Sequence, residues 1–459
     1  MTAAWHQLIS RVRTGSTGTP DQNRSDFQVD FDRLIFSSPF RRLQNKTQVF
    51  PLPGSVFVHN RLTHSLEVAS VGRSLGKMAG RKLCDHHPEW NNDLREFYAY
   101  DLANVISAGC LAHDIGNPAF GHSGEDAIAS FFREHASMNI DGRQLSDFFS
   151  QAEWFDLIHF EGNANSIRIL TQQLNGRLPG GFRMTYTTLA SIAKYPCASQ
   201  ARNKKKLHRK KIGFFQSEEP IFRAIASHTG MQKEQDNPLA FRRHPFVFLV
   251  EAADDICYRV IDFEDAHRLK ILHTDEIQEW LLDLLKYSPY DKLDAIRDRL
   301  TSIGDINEKM AYLRAKTINY LTLACTEEYI RQEESLLAGT LEQPLIDLLP
   351  GEVQQSLQAI DEVSFSRIYK HQSVVELEIA GYHILSGLLR LFVPAVLKED
   401  PNGLDKNILR LVPEQFKLGG KDASPYQRIF WAIDYISGMT DIYATELYKK
   451  ITGISIGLS

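Results

Sequence analysis

The chain has 459 residues, of which 43% are hydrophobic and 24% charged, and its formal net charge is -5. These values are ordinary for a globular protein with a large core, and the mild acidity gives no overall indication of nucleic-acid binding. The five cysteines are scattered and residues 1–5 lack a basic flank and an apolar run, so we expect a reducing compartment, the cytoplasm, and no signal peptide.

The distribution of apolar residues predicts an all-α protein, because helical periodicity dominates and strand alternation is scarce. Residues 1–25 are polar and contain a Gly-Ser-Thr-Gly-Thr-Pro stretch, which predicts a mobile N-terminal lead-in. Around residues 180–187, two glycines precede β-favouring residues, which favours an irregular segment or a β-hairpin. Candidate helices lie near residues 27–46, 61–83, 98–114, 122–135, 161–174, 218–228, 244–262, 275–287, 306–337, 352–360, 372–397 and 425–452.

The adjacent pair His113-Asp114 closes the apolar stretch 102–112 and is followed by Gly116 and Pro118, which predicts a buried helix that ends at the pair. An imidazole and a carboxylate are costly to bury there unless a partner satisfies both, as a divalent metal ion would. A hydrogen-bonded helix cap is the more common explanation of such a pair. The metal interpretation therefore needs support from other segments.

Two other predicted helices carry side chains of suitable chemistry. Arg61 and His64 are three residues apart and share a helix face, which suits an anionic ligand held beside a metal; a surface arginine and a half-buried histidine are the alternative. In the segment that starts at Phe246, acids interrupt a core-like apolar run, which a buried site explains better than a polar helix face. Steps of three, four and four residues align Glu251, Asp254, Tyr258 and Asp262 on one face.

A glycine-flanked histidine follows the His113-Asp114 pair. Gly121 and Gly124 around His122 predict a tight loop, and Glu125 is three residues away from the histidine. A carboxylate at that spacing would orient the imidazole and raise its basicity. A loop histidine is usually just solvated, but near a metal site His122 is a candidate general acid or base.

A basic run at residues 202–211 interrupts the mild acidity of the chain. It is either a solvated, partly disordered loop, a clamp on substrate or effector phosphates, or a contact for single-stranded nucleic acid. Lys211 is nearest the following turn and is the member of the run best placed to reach a site.

The order of these residues resembles that of the HD-domain phosphohydrolases. The bare histidine and aspartate pattern is shared by many HD enzymes, but six sequence blocks in the right order resemble the deoxynucleoside triphosphate triphosphohydrolases, the dGTPase group. The resemblance runs from about residue 33 to about residue 448. The blocks are 38–49, 61–67, 112–122, 160–164, 251–258 and 435–441.

The resemblance implies an all-α HD-domain enzyme that cleaves a dNTP, with dGTP foremost, into a deoxynucleoside and inorganic triphosphate. It implies a divalent metal ion held by His64, His113, Asp114 and Asp254. Asp254 is preferred to Asp255 because it shares a helix face with Tyr258. Mg or Mn is the expected ion, and Fe, Co, Ni or Zn would also suit this donor set.

The resemblance also implies roles for other residues. His122, supported by Glu125, would be catalytic, and its assignment as acid or base stays open. Among the implied substrate contacts, Arg61 would bind the triphosphate, and Gln48 and Asp262 would bind the sugar 3′-hydroxyl. Tyr258 would lie against the deoxyribose and exclude ribonucleotides, and Val49 is a further substrate-binding residue. Lys211 would contact phosphate or nucleic acid.

The candidate ligands must meet, so residues 26–300 are predicted to form one catalytic core, with residues 301–459 packed on it or on a neighbouring subunit. The most apolar late stretch, 382–397, is too short to span a bilayer. The resemblance implies a homo-oligomer, a tetramer or hexamer, and permits a nucleotide effector or single-stranded DNA as a further partner. Another HD-type nucleotide phosphohydrolase and a regulatory metal-containing single-stranded nucleic-acid-binding protein are the alternative functions.

Overall fold

The computed structural model describes residues 4–15, 24–51 and 58–454. Within these ranges the regular secondary structure is almost entirely helical, which confirms the predicted all-α class. The helices are α1 (Asp26–Ile35), α2 (Ser38–Arg42), α3 (Arg61–His86), α4 (Asn92–Glu96), α5 (Leu102–Ala112), α6 (Gly121–Glu134), α7 (Gln151–Ile158), α8 (Gly162–Thr171), α9 (Tyr186–Ile192), α10 (Glu219–His228), α11 (Val247–Arg268), α12 (Thr274–Leu285), α13 (Leu293–Ser302), α14 (Ile306–Arg331), α15 (Glu333–Ala338), α16 (Gly351–Val363), α17 (Gln372–Leu397), α18 (Gly403–Leu411), α19 (Pro425–Ser437) and α20 (Asp441–Ile451).

Two small antiparallel hairpins accompany the helices. They pair β1 (Asn139–Ile140) with β2 (Arg143–Gln144), and β3 (Lys233–Asp236) with β4 (Leu239–Phe241). The segment 180–187 is a turn with a single bridge between Arg13 and Thr185, so the irregular alternative is the correct one. The Thr185 hydroxyl caps α9 by accepting from the Thr188 amide, so β-favouring residues begin a helix here.

Several predicted helices are divided where the chain carries a cap or breaker. The predicted helix 27–46 is split because Ser37 caps α2 and Pro39 stands in its first turn. The predicted helix 425–452 is split after Ser437, and Thr440 caps α20. Such local signals shift helix boundaries without changing the fold class.

The described part of the N-terminal region is packed, unlike the mobile lead-in predicted from its composition. Trp5 and Leu8 are buried, and the Trp5 ring stacks edge-on against Tyr98. The Trp5 Nε1 donates to Glu333 Oε1 at 2.6 Å. The glycine- and threonine-rich residues 16–23 lie outside the described residues, so the prediction there is not addressed.

Helices α3, α5, α11 and α14 pack together in the larger of two apolar clusters. A stripe of glycines on α3 permits the close approach of α5, because a Cβ at these positions would collide with α5 or the segment before it. The stripe is Gly72, Gly76 and Gly80. Helix α14 lies beyond residue 300 and packs on α3 and α11 in this cluster, and the division of the chain near residue 300 stays a prediction.

The second apolar cluster joins α6 to α17 and α19. Helix α17 has 26 residues and is long and apolar enough to cross a bilayer by length and composition, so the prediction that this region is too short is wrong. Half of its most apolar window is buried within the protein, as in a core helix. The two clusters meet where α6 approaches the ends of α3 and α5, and this junction holds the site described next.

Candidate active site

Four predicted metal ligands meet where α3, α5 and α11 pack against one another. One ligand atom from each of His64, His113 and Asp114 lies within 4.8 Å of the others. The Asp254 Oδ1 lies 3.1 Å from His64 Nε2 and 3.5 Å from His113 Nε2. The fold therefore gathers two imidazoles and two carboxylates from three helices that are distant in sequence.

The state of His113 fits a metal ligand. Its Nδ1 lies 2.6 Å from the Cys110 carbonyl oxygen, to which it donates, so Nε2 carries the lone pair. This Nε2 atom is buried and has no hydrogen-bond partner. A buried acceptor without a donor is costly, and a divalent cation accepts that lone pair. The two imidazoles and two carboxylates gathered here therefore suit a divalent metal ion.

Asp114 is held on both oxygens by neighbours. The Arg61 Nη1 donates to Oδ2 at 2.6 Å, and Asn117 Nδ2 donates to Oδ1 at 2.6 Å. Burial alone would raise the pKa of Asp114, but the Arg61 guanidinium and His113 bring this pKa down to about 2. The carboxylate is therefore ionised at neutral pH, as a ligand must be.

The adjacent acids Asp254 and Asp255 have different surroundings. Burial would raise the pKa of Asp254, but His113 and His64 beside it hold this pKa well below its usual range. Burial raises the pKa of Asp255 to about 7, and the Arg259 Nη1 lies 3.9 Å from its Oδ1. The geometry thus places Asp254, the residue chosen from the sequence, with the histidines.

His122 and Glu125 form a hydrogen-bonded pair at the start of α6. The His122 Nδ1 lies 3.0 Å from Glu125 Oε2, and Glu125 Oε1 accepts from the Gly162 amide at 2.9 Å. The histidine side chain is 78% exposed and the glutamate is buried. The bond to Glu125 and its charge raise the pKa of His122, while partial burial opposes them. The imidazole therefore holds its proton more firmly than a free histidine.

The backbone before His122 has an unusual conformation that brings α6 close to Arg61. Phe120 and Gly121 both have positive φ, at 61° and 60°. A Cβ at Gly121 would lie 2.6 Å from Arg61 Nη2, so only glycine fits there without displacing the guanidinium. This close approach positions His122 beside the ligand cluster.

A cavity of about 500 Å³ joins the ligand cluster to the His122 and Glu125 pair. Three cationic side chains line it: Arg61, Lys194 and Lys211. The Lys194 Nζ lies 3.2 Å from Glu251 Oε1, and the Lys211 Nζ lies 2.8 Å from Glu161 Oε1. Glu251, which shares the helix face of Asp254, is thus a partner of Lys194 and of Arg243 rather than a ligand. The wall around the histidines is suited to a polyanion.

The predicted sugar contacts are only partly brought to the cavity. Gln48, Val49 and Tyr258 line it, and Gln48 Oε1 is buried without a hydrogen-bond partner. Asp262 is not among the described residues that line the cavity, and the Tyr369 hydroxyl donates to its Oδ2. Burial raises the pKa of Asp262 to about 7. The predicted contact of Asp262 with a sugar hydroxyl therefore stays a prediction, and it would have to replace or share the bond from Tyr369.

Sequence reasoning missed three residues that the fold brings to the cavity wall. Tyr369 stacks on Tyr258 with ring centroids 5.6 Å apart, Lys194 follows α9, and Glu378 comes from α17. Lys194 follows a short apolar segment, which could have suggested a buried cation. Tyr369 and Glu378 carry no local signal, since only the packing of distant segments brings them here.

The late block 435–441 ties the loops around the cavity together. Asp441 accepts from the Thr47 amide at 2.8 Å and from the Phe120 amide at 2.9 Å. The buried Lys46 donates to the Ser437 carbonyl oxygen at 3.0 Å and to the Asn117 carbonyl oxygen. These bonds join the segment of Gln48 to the segment of His122, so the C-terminal region positions both.

The basic run is ordered and largely paired, rather than a simple solvated loop. Glu234 forms ion pairs with Lys206 and His208, and the Arg209 Nε donates to the Ala201 carbonyl oxygen at 2.6 Å. Lys204 and Lys205 are exposed. Of the run, Lys211 reaches the cavity, as the sequence predicted.

This fold and this ligand set define an HD-domain phosphohydrolase, a class that uses a divalent metal ion. Residues 61–180 match the family model described as HD domain, and residues 348–450 match the phosphohydrolase-associated domain. The chain belongs to the deoxyguanosinetriphosphate triphosphohydrolase-like family of HD proteins.

Three relatives carry the name deoxyguanosinetriphosphate triphosphohydrolase-like protein. The one from Pseudomonas aeruginosa is 39% identical over 461 residues, which covers 98% of this chain and 99% of the relative. The one from Synechocystis is 37% identical and the one from Listeria monocytogenes 32% identical, each over 98% of this chain and 100% of the relative. The likeness therefore extends over nearly the whole chain, including the C-terminal region.

The different surroundings of Asp254 and Asp255 yield a test of the ligand assignment. We expect Asp254→Asn to lower the content of bound divalent metal, measured by inductively coupled plasma mass spectrometry, at least about tenfold, because one anionic ligand is lost. The matched control Asp255→Asn should retain wild-type metal. Equal metal loss in both variants would remove Asp254 from the ligand set.

Proposed function

We propose that the protein hydrolyses deoxynucleoside triphosphates, with dGTP foremost, to a deoxynucleoside and inorganic triphosphate. The observation that carries the proposal is one cavity that holds the four ligands, the His122–Glu125 pair and three cationic side chains. A triphosphate needs several cations to neutralise it, and cleavage of its ester needs a proton for the leaving oxygen. The names of the relatives support this substrate class.

Charge neutralisation at the phosphate is shared between the metal site and the protein. A divalent ion held by His64, His113, Asp114 and Asp254 would neutralise charge that develops at the α-phosphate. Arg61 uses Nη1 to hold Asp114, and its buried Nε has no hydrogen-bond partner. A phosphate oxygen would satisfy this donor, because the guanidinium fork matches phosphate geometry. Lys194 and Lys211 neutralise the remaining charge of the chain of phosphates.

His122 delivers the proton in this proposal. The hydrogen bond to Glu125 and its charge raise the pKa of His122 and so favour the protonated imidazole, and in this proposal His122 acts as a general acid. The bond between the α-phosphorus and the 5′-oxygen breaks as a water oxygen bonds to phosphorus, and His122 protonates the departing 5′-oxygen. The products are the deoxynucleoside and intact triphosphate.

The nucleoside end of the cavity favours a flat deoxynucleoside. Tyr258 and Tyr369 are stacked on one wall, and in this proposal Tyr258 would lie against the sugar, where its ring would crowd a 2′-hydroxyl. Glu378 lines the same cavity. A carboxylate accepts two donors at once, and guanine is the base that offers two adjacent N–H donors on its pairing edge. This chemistry supports dGTP as the first substrate to test.

The predicted tetramer or hexamer, the effector response, single-stranded DNA binding and the cytoplasmic location stay predictions. A different HD nucleotide phosphohydrolase would keep the ligand cluster, so the products of the reaction decide between the two. The regulatory alternative predicts no hydrolysis of any nucleotide.

The direct test separates products by ion-exchange chromatography after metal-loaded protein is incubated with each dNTP and with GTP. We expect deoxynucleoside and inorganic triphosphate from dGTP, and His122→Ala should lower kcat by about 10²–10⁴-fold with metal content retained. A monophosphate with pyrophosphate would instead identify another HD hydrolase. Turnover by His122→Ala at the wild-type rate would remove His122 from the mechanism.

Substitution of the tyrosine on the sugar wall should relax the choice of sugar. Tyr258→Ala opens space beside the 2′ position, so we expect the ratio of kcat/KM for dGTP over GTP to fall at least about tenfold. Competition between the two nucleotides in one reaction measures this ratio. Phe365→Ala, at the exposed edge of the same cavity, is the control, and an equal fall in both variants would contradict a specific role of Tyr258.

The assignment of His122 as an acid predicts the shape of the pH profile. An acid is active while protonated, so kcat/KM should fall as pH rises through the pKa of His122. Glu125 raises that pKa, so Glu125→Gln should move the falling limb to lower pH, whereas Asp126→Asn on the same helix should leave it in place. A limb that rises with pH through the same group would show that His122 acts as a base instead.

A further inference from the structure

A second cavity of about 200 Å³ adjoins the catalytic pair. It shares His122, Glu125 and Lys211 with the large cavity, so the two spaces meet at the pair. Its other walls come from the end of α7, from the chain before α8 and from the basic run. Neither the ligand cluster nor the stacked tyrosines take part in it.

Arg202 gives this second cavity an unpaired cation. Its Nε donates to the Lys210 carbonyl oxygen at 3.2 Å, and within the described residues no carboxylate forms an ion pair with its guanidinium. Arg202 lines the cavity together with Arg133. Most other arginines near the site are held by acids, so the free fork of Arg202 is available to a ligand.

The carboxylates on the same wall are already neutralised. Glu125 holds His122, and Glu161 holds Lys211 at 2.8 Å. Asp126 lies 2.9 Å from Arg133, which also donates to the Ile158 carbonyl oxygen. The charge that remains without an opposite partner in this cavity is therefore the positive charge of Arg202.

His159 supports an anion at the same place. Its Nδ1 donates to the Phe155 carbonyl oxygen at 3.1 Å, which leaves Nε2 free on a cavity-lining ring. Burial lowers the pKa of His159, and the positive charges of Arg202, Arg133 and Lys204 lower it further. An anion bound beside this ring would offset these positive charges and favour protonation of the imidazole, which could then donate to the anion.

We propose that this second cavity is a phosphate-binding site for the terminal group of an inorganic polyphosphate, held by the Arg202 fork and His159. The volume is too small for a nucleoside triphosphate but accommodates one or two phosphate groups. Because the cavity meets the large one at the catalytic pair, the triphosphate product can enter it as it leaves, a step that rests on the proposed function. Free pyrophosphate from solution carries the same kind of terminal phosphate group and is a second source of ligand for this cavity.

The proposal has a kinetic consequence. Triphosphate that occupies the second cavity while a nucleotide occupies the large one inhibits without competing directly for the substrate site. Product inhibition of the wild type should therefore contain a non-competitive component. Arg202→Gln should remove this component and leave purely competitive inhibition.

Binding is measured on the full metal-loaded chain by isothermal titration calorimetry with inorganic triphosphate and, separately, with pyrophosphate. We expect two sites per chain for triphosphate in the wild type, and at least a tenfold weaker second site in Arg202→Gln. Arg202→Lys retains the charge without the fork and should be intermediate. Lys205→Gln, an exposed lysine of the same run that lines neither cavity, is the control and should match the wild type.

The outcomes distinguish the sources and the two proposals. If pyrophosphate also binds at the Arg202 site, free polyphosphate is a ligand; if only triphosphate binds, the product is the ligand, and both results support the site. A single site in the wild type, or equal binding by wild type and Arg202→Gln, overturns it. If the protein hydrolyses no nucleotide, the proposed function is refuted. If Arg202→Gln nevertheless weakens the binding of triphosphate to that protein, the second site is still supported.

Discussion

The placement of Asp254 between two histidines is the interaction on which the site depends. Three helices that pack through apolar faces bring this carboxylate, His64, His113 and Asp114 into one small volume. Such a concentration of polar groups within a core is costly unless each is satisfied. Arg61 and Asn117 satisfy Asp114, and the unpartnered Nε2 of His113 leaves a place for a cation.

The position of the His122–Glu125 pair depends on a different part of the molecule. Helix α6 belongs to the second apolar cluster, whereas the ligand helices belong to the first. Asp441 accepts from the Thr47 and Phe120 amides, and Lys46 donates to the Ser437 carbonyl oxygen. These bonds fix the loops of the two clusters relative to each other. The C-terminal region therefore completes the site as well as packing on the core.

The charges around the cavity are arranged in opposed pairs, with a few polar groups left without partners. Lys194 and Lys211 each face a glutamate, and Glu125 holds His122. The buried Nε of Arg61, Oε1 of Gln48 and the guanidinium of Arg202 have no opposite partner of this kind in the described structure. These groups mark where a ligand with phosphates and hydroxyls would complete the hydrogen bonding.

Local patterns were sufficient for the helical class and for the helices that carry the candidate ligands, and helical spacing places Asp254 and Tyr258 on one face and Glu125 beside His122. They also placed Lys211 near the site. They did not reveal that the Tyr369 hydroxyl donates to Asp262, that Lys194 and Glu378 line the cavity, or that the Arg202 guanidinium forms no ion pair within the described residues. Those contacts join segments far apart in sequence, and only the packing of the two apolar clusters decides them, since no local periodicity encodes which distant side chains meet.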